Sequence, residues 1–92
     1  MKREKDTFVK LKEGTVFRIM ENESALVRPD DGTLIILNET GTFIVKNIKK
    51  KISKKALIRK IINEYDTTLQ RVEKDVDSFL KKLEKEGIIE IS

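Results

Sequence analysis

The stretch Pro29 to Ile48, in which the Asp31-Gly32 pair, the apolar run Leu34-Ile35-Ile36-Leu37 and Asn38 follow one another, most narrows what this chain can fold into. Gly tolerates positive φ and Asp can hydrogen-bond its own backbone, so Asp31-Gly32 predicts a tight reversal. The bulky, β-branched run after it predicts a strand. Asn38 offers a side-chain oxygen to the free N–H groups of a new helix, whose apolar face would be Phe43, Ile44 and Ile48. Gly41 weakens that helix's first turn, which points to close packing there.

The flanking sequence extends this plan. Gly14 marks a turn, and Val16-Phe17-Arg18-Ile19-Met20 would place Phe17 and Ile19 on one face of a strand with Arg18 on the other. Glu21-Asn22-Glu23 is a polar break, Ser24 to Arg28 reads as a second strand, and Pro29 ends its ladder. Downstream, Ser53 caps a second helix with the stripe Leu57, Ile58, Ile61, Ile62 and Tyr65. Lysines in its first turn oppose the helix dipole. Thr67 or Thr68 caps a third helix, Thr67 having capping-box spacing to Gln70. Leu69, Val72, Val76, Phe79, Leu80 and Leu83 follow at helical spacing, and Gly87 stops the helix in a left-handed turn. Ile88-Ile89-Glu90-Ile91 is an extended tail that would pair with a strand or cover the core. Three strands followed by three helices make an α+β domain.

With 92 residues the chain is one domain with a modest core. Residues 1–12 are mostly charged and read as a mobile N-terminal segment before a domain at 13–92. The sequence has no Cys and no His, which removes thiol nucleophiles, imidazole bases, thiolate zinc sites and Cys-held iron–sulfur clusters. No cofactor or metal is expected. No apolar run approaches the roughly 20 residues that span a bilayer, so no membrane partner is expected and a cytoplasmic location is the default. Twenty basic against 16 acidic side chains give +4. Much of that excess is the run Lys46, Lys49, Lys50, Lys51, Lys54, Lys55, Arg59 and Lys60, which is either a solvated face or a patch for an anionic partner.

Pro29, Gly32, Leu37-Asn38-Glu39-Thr40-Gly41, Ile44, Tyr65-Asp66, Asp75-Val76, Phe79-Leu80, Leu83 and Gly87-Ile88 together resemble the coenzyme PQQ synthesis protein D (PqqD) family and the wider peptide-recognition domains that serve ribosomally made, modified peptides. The resemblance extends from about Val16 to Ile91. It implies a winged helix-turn-helix-like layout with a three-stranded antiparallel sheet followed by three helices. It further implies a non-catalytic peptide chaperone that captures a precursor's leader between the third strand and the third helix. A modifying enzyme, such as a radical-SAM enzyme, would receive the peptide, as in PQQ synthesis or in the making of lasso and thioether-bridged peptides.

The residues fit such a role. An open sheet edge presents unpaired N–H and C=O groups that accept an extended peptide, while neighbouring apolar pockets read alternate side chains. The strand side would be Thr33, Leu34, Ile35, Ile36 and Leu37. On the third helix, Arg71, Val72, Asp75, Phe79 and Lys82 are the candidates, mixing an aromatic ring with both charge signs. Two plainer readings stand beside this: Phe79 is a core ring, and the Leu34 to Leu37 run is covered on both faces. An open edge also permits homodimerisation by sheet pairing.

A winged-helix transcriptional regulator is the alternative function. Its last helix would enter the major groove, but here Arg71, Lys74, Lys81, Lys82 and Lys85 are offset by Glu73, Asp75, Asp77, Glu84 and Glu86, so nucleic acid is not the expected partner. Catalysis would have to rest on carboxylates, lysines and Tyr65, and none has a recognisable catalytic spacing, so no enzyme is expected.

Overall fold

Gly32 has φ 75°, and around it the Gly32 amide donates to the Arg28 carbonyl and the Arg28 amide to the Thr33 carbonyl, each at 2.9 Å. The Thr33 amide donates to Asp31 Oδ1 at 3.0 Å. The reversal read from the sequence is therefore made by the residues that predicted it. The computed structural model describes residues 7–92, in the order β1 (Phe8–Leu11), β2 (Val16–Met20), β3 (Glu23–Val27), β4 (Leu34–Leu37), α1 (Glu39–Asn47), β5 (Ile52–Ser53), α2 (Lys54–Glu64), α3 (Leu69–Lys85) and β6 (Ile89–Ile91).

The three expected strands form an antiparallel sheet in the order β2-β3-β4. The register sets Leu26 opposite Phe17 and Ile35, and Ala25 opposite Arg18 and Ile36. Side chains alternate across a strand, so Leu26, Ile35 and Leu37 face the helices while Leu34 and Ile36 face outward. Leu34 and Ile36 are 60% and 57% exposed, and Leu37 is buried. The run Leu34 to Leu37 is thus covered on one face only. Phe17 packs against the core, whereas Ile19 stays exposed.

Each helix is capped as its sequence requires. Asn38 Oδ1 accepts from the Gly41 amide, Ser53 Oγ from Ala56, and Thr68 Oγ1 from Arg71. Thr68, rather than Thr67, is the cap of α3. At its other end the Gly87 amide donates to the Glu84 carbonyl and the Ile88 amide to that of Leu83, a paired closure that needs the left-handed φ of 76° at Gly87. Leu57, Ile58 and Ile61 of α2 meet Val72, Val76, Leu80 and Leu83 of α3 in one core with Ile44, Val45, Ile48 and Ile88. Burying such side chains is worth about 1.5–3 kcal/mol each, the main support of a small domain. The buried Ser24 and Thr42 hydroxyls meet at 2.7 Å and tie β3 to α1, while Phe43 and Tyr65 pack edge to face at 5.5 Å.

The N-terminal part differs from the expectation of a mobile segment at residues 1–12. Residues 1–6 lie outside those described, and Phe8–Leu11 is the central strand of a second sheet, β5-β1-β6. Val9 sits opposite both Ile52 and Ile91 and is fully buried. Short apolar strands from both ends and the middle of the chain supply one another's partners, which satisfies backbone groups that none could satisfy alone. The tail Ile88 to Ile91 does both things anticipated for it, Ile88 filling the core and Ile89–Ile91 pairing with β1. The lysine run is in part structural: Lys54 pairs with Asp77 of α3, and Lys51 lies over the Phe8 ring at 5.3 Å.

Candidate functional site

Among the described residues β4 has a strand partner on one side only, β3. The Arg28 amide donates to the Thr33 carbonyl, so the backbone of these opposed residues points inward, and inward positions recur at every second residue of an antiparallel ladder. Leu26/Ile35 and Ser24/Leu37 are in the same phase of the register. The backbone groups of Ile35 and Leu37 therefore point into the sheet, and those of Leu34 and Ile36 point away from it. This is the unpaired edge that an extended chain can extend.

Beside that edge lies a groove of about 360 Å³. Its strand wall is Ile35, Ile36 and Leu37, its floor Asn38, Thr40, Gly41 and Ile44 from the start of α1, and its helix wall Asp75, Phe79, Lys82 and Leu83. The cap at Asn38 and the missing side chain at Gly41 build the floor. A Cβ at Gly41 would meet Leu37 Cβ at 3.3 Å, so the strand end and the helix start pack tightly here and a side chain would push them apart by a few tenths of an ångström. Phe79 is half-buried, packed against the core on one side and lining the groove on the other, which joins the two readings its spacing left open.

The walls are held in place at one end. Arg28 Nη2 donates to Glu86 Oε1 at 2.9 Å, and Arg28 Nε stands 3.3 Å from Asp31 Oδ1. Lys12 pairs with Asp30 at 3.7 Å. The Arg28–Glu86 contact joins the β3–β4 turn to the end of α3, and the Lys12–Asp30 pair ties the same turn to the segment after β1. The Thr33 bonds to Asp31, with some help from the Arg28 charge, hold the Asp31 carboxyl below its ordinary value of 3.8.

Of the sequence candidates, Ile35, Ile36, Leu37, Asp75, Phe79 and Lys82 come together in this groove. Leu34 continues the strand toward the turn, and the Thr33 backbone is taken up by the turn itself. Val72 does not reach the groove: it is 4% exposed, a core residue under α2 and α3. Arg71 lines a separate, wider depression of about 770 Å³ with Asp66, Thr67, Thr68, Gln70, Lys74 and Asp75. That depression has no apolar anchor and is the poorer peptide site. Sequence reasoning missed Thr40, Ile44 and Leu83 as lining residues, and it used Asn38 and Gly41 only as cap and packing residue.

Among the described residues no cluster of His, Cys, Asp or Glu could hold a metal ion, and no helix is long and apolar enough to cross a membrane.

The family model for coenzyme PQQ synthesis protein D matches residues 23–89, from the start of β3 into β6. A solved structure described as TbiB1 in complex with the TbiA(beta) leader peptide has the same fold, with a TM-score of 0.77 at 24% identity over 88% of this chain and 94% of that one. No curated protein matches the chain.

Proposed function

The chain belongs to the coenzyme PQQ synthesis protein D family, and from that membership we propose that it is a non-catalytic chaperone for a ribosomally made precursor peptide. The leader adds as a strand to the free edge of β4, rests its side chains on Phe79, and is thereby presented to a modifying enzyme of the radical-SAM or a related class. Main-chain bonds to Leu34 and Ile36 supply affinity, and the groove beside them supplies selection. Holding the substrate near its enzyme raises its local concentration without chemistry on this chain. The observation that supports the reading most directly is the coincidence of an unpaired strand edge with an adjoining apolar groove.

The test is titration of isotope-labelled protein with the precursor encoded beside its gene, following backbone amide shifts at low and moderate salt. Saturable, salt-resistant shifts in Thr33 to Leu37 and along Asp75 to Lys82 are expected. Ile36→Pro, which removes an outward N–H, should abolish them while leaving the β3–β4 ladder intact. No response to the peptide, with salt-sensitive shifts around Lys49 to Lys60 on adding duplex DNA, would overturn the reading in favour of a regulator.

A further inference from the structure

Among the described residues the groove is lined by one anion and one cation, Asp75 and Lys82, with Phe79 between them on α3. Both are exposed, and neither makes an ion pair with another described residue within 4.0 Å. For Lys82 the reason is visible. Glu86, one turn further on the same helix, is the acid placed to pair with it, but Glu86 is engaged by Arg28 from across the β3–β4 turn. At the other end, Arg71 and Lys74 flank Asp75 but line the separate depression instead of the groove.

The direction of β4 relative to α3 follows from three contacts. The turn that opens β4 lies at the end of α3, through Arg28 and Glu86 and through Asp30, whose Oδ2 is 3.9 Å from a Cβ built on Gly87. The other end of β4 reaches Phe79, since a Cβ on Gly41 would touch both Leu37 and the Phe79 ring. β4 and α3 therefore run in opposite directions, with Lys82 toward Leu34 and Asp75 beyond Leu37.

We propose that Asp75 and Lys82 select a peptide by the order of its charges. A strand added antiparallel to β4, the arrangement throughout this sheet and the slightly stronger pairing, runs from the Asp75 end to the Lys82 end. Its helix-facing side chains then read basic, apolar, acidic at alternate positions, the apolar one on Phe79. Seven residues of helix span about 10.5 Å, and alternate positions over five strand residues span about 13 Å. The long Lys82 arm covers the difference. The preferred segment has the form basic-x-apolar-x-acidic from N to C terminus.

This inference rests on the peptide-groove reading above, and a random-peptide display library separates the two. The library is selected on the wild-type chain and on the doubly exchanged Asp75→Lys, Lys82→Asp variant, whose positions are exposed and whose folding is verified by thermal melting. Only peptides whose binding is lost on Ile36→Pro are counted. The wild type should enrich basic-x-apolar-x-acidic over the reverse order, with synthetic peptides of the two orders differing roughly five-fold in affinity, as two exposed ion pairs allow. The exchanged variant should invert the preference. Groove-bound peptides without a charge order, with the reverse order, or with an order unchanged in the variant overturn the charge-order inference and leave the groove standing. Failure to enrich any peptide sensitive to Ile36→Pro overturns both.

Discussion

Gly41 lets the Phe79 ring rest on the first turn of α1: a Cβ at Gly41 would lie 3.4 Å from Phe79 Cζ. The floor and one wall of the groove meet at this contact, so its geometry sets how far the ring projects toward an incoming strand.

Gly41→Ala adds a methyl group that Leu37 and Phe79 must accommodate by a few tenths of an ångström, while alanine favours a helix over glycine by about 1 kcal/mol. The two effects oppose each other. Denaturant melts should move by no more than about 1 kcal/mol, but peptide titration should show affinity reduced by the displaced ring. The larger Gly41→Val should destabilise outright, by about 1–3 kcal/mol of overpacking.

Among the described residues the buried Ser24 and Thr42 hydroxyls are bonded only to each other. Ser24→Ala or Thr42→Val leaves the partner unsatisfied at a cost of about 1–3 kcal/mol. With both replaced, no orphan remains, and the double variant should lose less than the sum of the single losses by at least about 0.5 kcal/mol. Strict additivity in a denaturant double-mutant cycle would show that the hydroxyls act independently.

Glu21 holds φ 58° in the two-residue turn between β2 and β3, a conformation that costs an L-residue about 1–2 kcal/mol. Glu21→Gly removes that strain and gives back part of the gain as unfolded-state entropy. A rise in stability of up to about 1 kcal/mol is expected, with peptide affinity unchanged. A fall in melting temperature would contradict it.

Asp31 is held below its ordinary 3.8 chiefly by its bonds to Thr33. Because its folded value is the lower one, its contribution is complete above 3.8 and is lost as the pH falls through the depressed folded value. Thermal melts should weaken across that acid window, and Asp31→Asn should flatten this part of the profile while leaving neutral-pH folding intact. An unchanged acid limb in the variant would assign the loss to other carboxylates.

The helices, their caps and the β2-β3-β4 sheet are legible in the sequence because each rests on a local signal. Asn38, Ser53 and Gly87 act within four residues of their own positions. The second sheet is not legible, since β5 has two residues and β6 three, too few to show a period, and Val9 finds its partners at Ile52 and Ile91. The lining of the candidate groove was readable in outline for the same reason. Val72 and Phe79 are seven residues apart, about 20° around the helix, yet Val72 is buried and Phe79 is half-open. What covers a stripe changes along its axis, and periodicity carries no information about that. Arg28 and Glu86, 58 positions apart, left no pattern to read.

The meeting of β1 with β6 sets an order of assembly. Phe8 and Ser92 exchange backbone hydrogen bonds at 2.9 Å in both directions, so β1 waits for a partner strand made much later in synthesis. The free edge of β4 needs only hairpins between neighbours, which close early and cheaply. During synthesis the β2-β3-β4 sheet can form while β1 still lacks one of its two neighbours, and the emergence of β6 completes the second sheet.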